Sequence, residues 1–405
     1  MKKLLPWIGV GLLIRLVLMA GTFNPDIRGH NFAAYLISQK GEIFTFYDHI
    51  SRLSRTDPLV SLYGDNIFIY PPLAYWTHAA FMTVLDPLYP WNTFNRLVAD
   101  TGWLMREPQG LPQLLVLLKF PYLVVDAFGL WLILKLVSQK HQLKVGLMWI
   151  FNPITIYTAY MIGQFDIYIA VFLLATIWLW QNHRINLAAI VLGLAAGFKP
   201  FPLLLVPLLG EGLSQKVKLI FLSLLTYFLI ISPYLSSPGF KQYALLANQT
   251  EKLWYAKIDI SGGQYVPLFF MGLALLWWYN HFRFRSLPLE GWFGVVLLLF
   301  YSLVHYHVQW FVWITPVLIL FAVRFKDTLL PLLVLFLCYI LLVLFAEPSL
   351  NFGLFNSNSS FSLVKFIPFH LVLDQFLSLI RGIFAATSII LITQVHGQYY
   401  SHGSS

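Results

Sequence analysis

Apolar runs of bilayer length alternate with short polar links along almost the whole chain. Residues 4–21, 112–137, 145–161, 166–181, 187–209, 219–234, 265–280, 290–304, 308–323, 328–346 and 368–393 are such runs. At about 20 residues per crossing they predict an all-α polytopic membrane protein of roughly 11–13 transmembrane helices. Residues 72–88 are apolar but short for a full crossing, and 187–209 carries GFKPFP, whose two prolines predict a break near Lys199.

Polar stretches interrupt this rhythm. Residues 22–71 form a long first loop holding Asp26, Arg28, His30, Glu42, Asp48, His49, Asp57 and Asp65. A loop of that length beside compact apolar segments usually carries function. Residues 235–264 form a second, with Lys241, Lys252, Trp254, Lys257 and Asp259, and 347–365 a third.

Only 11% of the 405 residues are charged and 59% are hydrophobic, against about 25% charged in soluble proteins. The net charge of +9 comes largely from short basic links: SQKHQLK (138–144), QNHRIN (181–186), GEGLSQKVK (210–218), HFRFR (281–285) and RFKD (324–327). That is the positive-inside pattern, so these links are expected on the cytosolic side and the three polar loops outside. The same pattern argues against nucleic acid as a partner and for membrane lipid. Charge puts both residue 24 and the 89–111 link outside. Residues 72–88 then read as a re-entrant or hairpin element, or else 89–111 carries a shallow amphipathic segment. The N-terminus looks like a signal peptide but has no clear cleavage site, and is expected to stay as the first span. The single cysteine, Cys338, excludes an internal disulfide and a cysteine metal site. A membrane module over 1–320 and C-terminal membrane helices with a cytosolic tail over 321–405 make up the expected organisation.

A charge inside a span costs about 2.5–3.5 kcal/mol on insertion scales, so each one needs a reason. Asp26, Lys119, Asp126, Asp166, Lys199, His305 and His307 are the candidates. The expected topology brings Asp26, Asp166, Lys199, His305 and His307 from distant parts of the chain to one membrane boundary. Plainer roles compete. Asp26 and Asp166 each stand where a helix N-cap belongs. Lys199 could sit on carbonyls freed by the prolines, and the histidines could be interfacial. Lys119 and Asp126 are two helical turns apart and face one way, Asp126 as a structural partner. Tyr70-Pro71-Pro72 fixes a bend, and Asp48 and Asp57 are solvated loop charges. One carboxylate facing dispersed cations suits sugar transfer from a polyprenyl-phosphate donor. The acceptor hydroxyl needs a base, and the departing phosphate needs only cations.

In ordered series these signals resemble the GT-C glycosyltransferases, above all the dolichyl-phosphate-glucose glucosyltransferases of asparagine-linked glycosylation and the GPI-type mannosyltransferases. The likeness covers most of 1–320. Asp26 with His30 resembles the family's acidic motif, and Tyr70-Pro71-Pro72-Leu73 its tyrosine-diproline element. Lys119 with Asp126, Gly163-Gln164-Phe165-Asp166, Phe198-Lys199-Pro200 and Val304-His305-Tyr306-His307 resemble its later motifs. The resemblance implies a GT-C-type bundle that passes a hexose, mannose or glucose, to a glycan or lipid-linked acceptor with inversion at the extracytoplasmic face. It implies Asp26 as general base, Lys199 with His305 or His307 at the donor phosphate, and His30, Tyr70, Gln164 and Asp166 as substrate contacts. Gln164 stands where the glucosyltransferases have His, and His307 where they tend to have Lys. Arg28 fills the second acidic place of metal-using members, so metal-independent transfer without a cofactor is expected, a divalent ion remaining open. The competing readings are a lipid-linked glycan polymerase or ligase, with clustered outer arginines, and a flippase or transporter, with charges near the midplane.

Overall fold

The computed structural model describes residues 2–64, 69–99, 110–245, 247–345, 350–355 and 372–403. Asp65 and parts of the 89–111 and 347–365 links lie outside them. The chain is a helical membrane protein. Among the described residues five helical stretches are long and apolar enough to cross a membrane, and five further apolar helices run 10–17 residues.

The chain opens with α1 (Leu5–Gly21), then α2 (Ile27–Lys40) and α3 (Leu73–Val84) in and after the first polar segment. The long α4 (Leu111–Lys135) and α5 (Gln142–Ile150) follow, then α6 (Ile167–Gln181), α7 (Ile185–Ala196) and α8 (Leu213–Ile231). The second polar segment carries an antiparallel ribbon, β1 (Lys257–Ser261) with β2 (Gln264–Pro267). After it come α9 (Leu268–Phe282), α10 (Leu289–Leu303), α11 (Thr315–Arg324), α12 (Leu329–Leu344) and α13 (Leu373–Gly403). The ribbon departs from the all-α expectation. Its cause is local: Gly262 and Gly263, both at positive φ, make the two-residue turn that joins strands.

Several runs expected as single spans are broken by their own sequence. The run 145–161 stops at Asn152-Pro153, where the Asn152 side chain accepts from the backbone N–H of Ile154 and Thr155 at 3.0 Å. It resumes as a π-helix, Ile156–Ile162, ending at Gly163 with φ 81°. The run 187–209 breaks where expected: α7 ends at Ala196, and a 3₁₀ turn, Phe201–Leu208, follows. The run 308–323 begins as a 3₁₀ turn, Val308–Trp313.

Two apolar cores result. The larger joins α4 through α13, with Phe376, Ile380, Phe384 and Leu391 of the C-terminal helix inside it. The smaller belongs to a cap made of α2, the short helix Phe46–Ser51, α3, the first half of α4 and residues 231–244. Alanines at 33, 34, 74 and 79, all buried, let α2 and α3 lie close. Charges expected to be merely solvated clamp this cap. Asp48 accepts from the Ser237 hydroxyl at 2.6 Å and the Gly239 N–H at 3.1 Å, tying the two polar segments together. Asp57 accepts from the Leu59 N–H at 2.9 Å as a helix cap.

Buried charge also locks α1 to α4. Arg15 donates to Asp126 at 2.7 Å and to the carbonyl of Ile150 at 2.8 Å. Asp126 takes two more bonds, from Tyr160 and Trp149, both at 2.6 Å. Asp126 is thus the structural partner the sequence suggested. Two turns earlier on α4, the Lys119 ammonium sits among carbonyls of Met19, Thr22 and Tyr160 at 2.7–3.2 Å. Tyr160 and Met161 lie in the last turn of the π-helix, where carbonyls have no partner within the helix and are free to accept.

Candidate functional site

A cavity of about 440 Å³ lies where the cap meets the main bundle. The cap supplies Asp26, His30 and Tyr70, the bundle Gln164, Lys199, His307, Trp310 and Trp313, and the second polar segment Thr250 and Leu253.

Asp26 and Asp166 occupy equivalent places, one residue before α2 and α6. Neither side chain caps its helix. The Asp26 carboxylate instead takes a hydrogen bond from the Gln164 amide at 2.9 Å. Asp166 turns its Oδ1 to the Lys199 ammonium at 2.5 Å and to the Trp313 indole N–H at 2.7 Å. Both carboxylates stay close to the positive end of a helix.

Lys199 stands in the break between α7 and the 3₁₀ turn. The Tyr70-Pro71-Pro72 bend docks there, the Leu73 N–H donating to the Gly197 carbonyl at 3.0 Å. That close approach needs glycine: a Cβ on Gly197 would meet Leu73 at 2.6 Å. The docking lays the Tyr70 ring 5.3 Å from the Lys199 ammonium, which also faces Phe165, Trp310 and Trp313 at 5.1–5.3 Å. An ammonium carries three donors. One is used by Asp166, and the rest face aromatic rings and the cavity, a cation–π cradle. Asp166 Oδ2 is buried and has no partner among the described residues. Burial, with the carboxylates of Asp166 and Asp26 behind it, holds the Tyr70 phenol well above its ordinary range, so it stays a neutral hydroxyl.

The second cation at this wall was not assigned from sequence. Lys252, from the 3₁₀ turn Asn248–Trp254, donates to His307 Nε2 at 2.5 Å. Burial first, then the ammonium groups of Lys252 and Lys199, depress His307 to about 3. The imidazole is therefore neutral and accepts, and the charge belongs to Lys252. Burial and repulsion from Lys199 bring Lys252 itself down to about 8. His307, expected at the donor phosphate, thus lines the cavity as a neutral group bonded to the Lys252 ammonium.

The expectation for His305 is corrected. It is exposed, outside the cavity lining, with its ring against Tyr255 at 6.2 Å. Alternate residues of an extended turn point opposite ways, so only one of the two histidines can face inward. His30 does line the cavity. Burial keeps it well below its ordinary value and neutral, packed on His78 and Phe165. Asp166 is brought to the site behind Lys199 rather than on the cavity surface.

Sequence reasoning also passed over Trp310 and Trp313. Their three-residue spacing was a readable signal, since a turn places both rings on one face; they stack at 5.4 Å and 12°. Among the described residues no three His, Cys, Asp or Glu side chains gather as a metal site. No family model, no curated protein and no solved structure matches the chain.

Proposed function

We propose that this cavity binds a polyprenyl-phosphate sugar and transfers its hexose to a glycan or lipid-linked acceptor hydroxyl. The carrying observation is one hollow with the Asp26 carboxylate on the cap wall and the incompletely used Lys199 ammonium on the bundle wall, with the Lys252 ammonium bonded to the lining residue His307 and 5.6 Å from the Trp310 ring. The aromatic and leucine lining accepts an isoprenoid and a sugar face, while Gln164, His30 and Tyr70 supply neutral polar contacts.

In this reading Asp26, oriented by Gln164, removes the acceptor hydroxyl proton as its oxygen bonds to the anomeric carbon. The bond from that carbon to the phosphate oxygen breaks, and the electron pair leaves with the lipid phosphate. The phosphate gains one negative charge, which Lys199 and Lys252 neutralise. Attack and departure from opposite walls give inversion. Asp166 is a positioning residue for Lys199, and no metal is assigned to the step. The fold is then a GT-C-type bundle with its site at the extracytoplasmic boundary, the basic links facing the cytosol.

The test is transfer by purified protein from a panel of polyprenyl-phosphate sugars. Asp26→Asn, which keeps the Gln164 contact available, is expected to fold and to lose about 10²–10⁴-fold in turnover. Near-normal turnover in that variant rejects the base, and no transfer from any phosphate-linked donor rejects the function.

A further inference from the structure

The ribbon β1–β2 carries apolar side chains with no cover. Ile258 and Ile260 are 56% and 65% exposed, and Tyr255 just before them is 58% exposed. A two-stranded ribbon is marginal alone in water and needs a surface to lie on.

The ribbon is held at its base. The Leu268 N–H donates to the Ala256 carbonyl at 2.9 Å, and the Trp254 ring packs on Phe270 at 4.5 Å. Both clamps fix it to the start of α9. Met271, Leu275, Trp278 and Phe282 of that helix are exposed at helical spacing, forming one apolar stripe. In a membrane protein such a stripe faces lipid, and the ribbon leads straight into the helix that carries it. The remaining residues are of the kind that settles at the headgroup level. Lys257 lies 4.5 Å from the Tyr265 ring and 3.4 Å from Asp259, beside Trp254 and Tyr255. Trp, Tyr and snorkelling Lys favour the membrane–water boundary.

We propose that residues 257–267 are seated on a phospholipid bilayer, Ile258 and Ile260 in the acyl edge and Lys257 among the headgroups. The cavity wall at Thr250 and Leu253 belongs to the 3₁₀ turn Asn248–Trp254, which leads into this ribbon. The bilayer surface therefore becomes a support for one side of the cavity. The proposal does not depend on the reaction assigned above.

The experiment uses the full chain in phosphatidylcholine liposomes. Cys338→Ala gives a background without native thiols; Ile260→Cys is added and labelled with a polarity-sensitive fluorophore, and Arg52→Cys, exposed in the first polar segment, is the reference. The Ile260 probe is expected to emit blue-shifted from the reference and to resist iodide. Lipids with a nitroxide near the headgroup should quench it more than lipids labelled near the chain end. Adding Ile258→Glu should return its emission toward that of the reference. Iodide quenching equal to the reference overturns the proposal. So does a blue-shifted probe that neither nitroxide quenches, which would place protein, a second copy or another part of this chain, on the ribbon.

Discussion

Among the described residues, the Arg15–Asp126 and Lys199–Asp166 ion pairs are both buried, and they differ in how fully they are used. In the first, both Asp126 oxygens are occupied, by Arg15, Tyr160 and Trp149, and Arg15 spends further donors on carbonyls. In the second, both donors to Asp166 converge on one oxygen, and Lys199 turns its remaining N–H groups to rings and open space. A saturated cluster of this kind can only hold helices together. An unsaturated one beside a cavity keeps hydrogen-bonding capacity for an arriving anion. The difference teaches that intramembrane charge alone does not mark a site; the count of partners does.

Breaking the saturated cluster should have the largest effect. Asp126→Ala leaves Arg15 buried without its counter-charge and is expected to cost about 3–5 kcal/mol, read as lost thermal stability of the detergent-solubilised protein. Neutralising the second pair should separate stability from binding. Lys199→Met with Asp166→Asn removes both charges together. It should nearly keep the melting temperature while donor affinity falls about 10- to 100-fold, the worth of a hydrogen bond to a charged group. An equal loss of stability in both would erase the distinction.

A smaller effect sharpens the bundle wall. The Lys252 ammonium is present below its pKa of about 8 and lost above it. Wild-type kcat/KM should therefore fall as pH rises through about 8, by up to about tenfold. Lys252→Ala should be low and flat over that range. His307, near 3, stays neutral throughout and adds no acidic limb. The smallest effect is expected for His305→Ala, within about twofold, as for an exposed side chain away from the chemistry. A loss matching that of Lys252→Ala would move the phosphate contact outward to His305.

The helical membrane character was legible from run length and charge deficit, and the break at Lys199 from its prolines. Asp26 and Lys199 were legible as cavity residues, because charges in oil-like sequence stand out, whereas Gln164 and Tyr70 came only from the resemblance. What could not be read was orientation. His305 and His307 look alike in sequence, and only the extended turn between them decides which one faces the cavity. Lys252 was hidden because a lysine in a polar loop is ordinary; its importance comes from a histidine 55 residues later. Asp48 was hidden for the same reason, its partner lying 189 residues away.

The Arg15–Asp126 cluster also bears on how the chain is made. The two residues are 111 positions apart, and Tyr160 comes 34 later still. At ribosomal speeds of about 5–20 residues per second, the guanidinium waits roughly 6–20 seconds for its counterion. During that interval the first hydrophobic segment cannot be released alone into lipid without stranding a cation there. Its handover from the insertion machinery is thereby coupled to the arrival of the segment that carries Asp126.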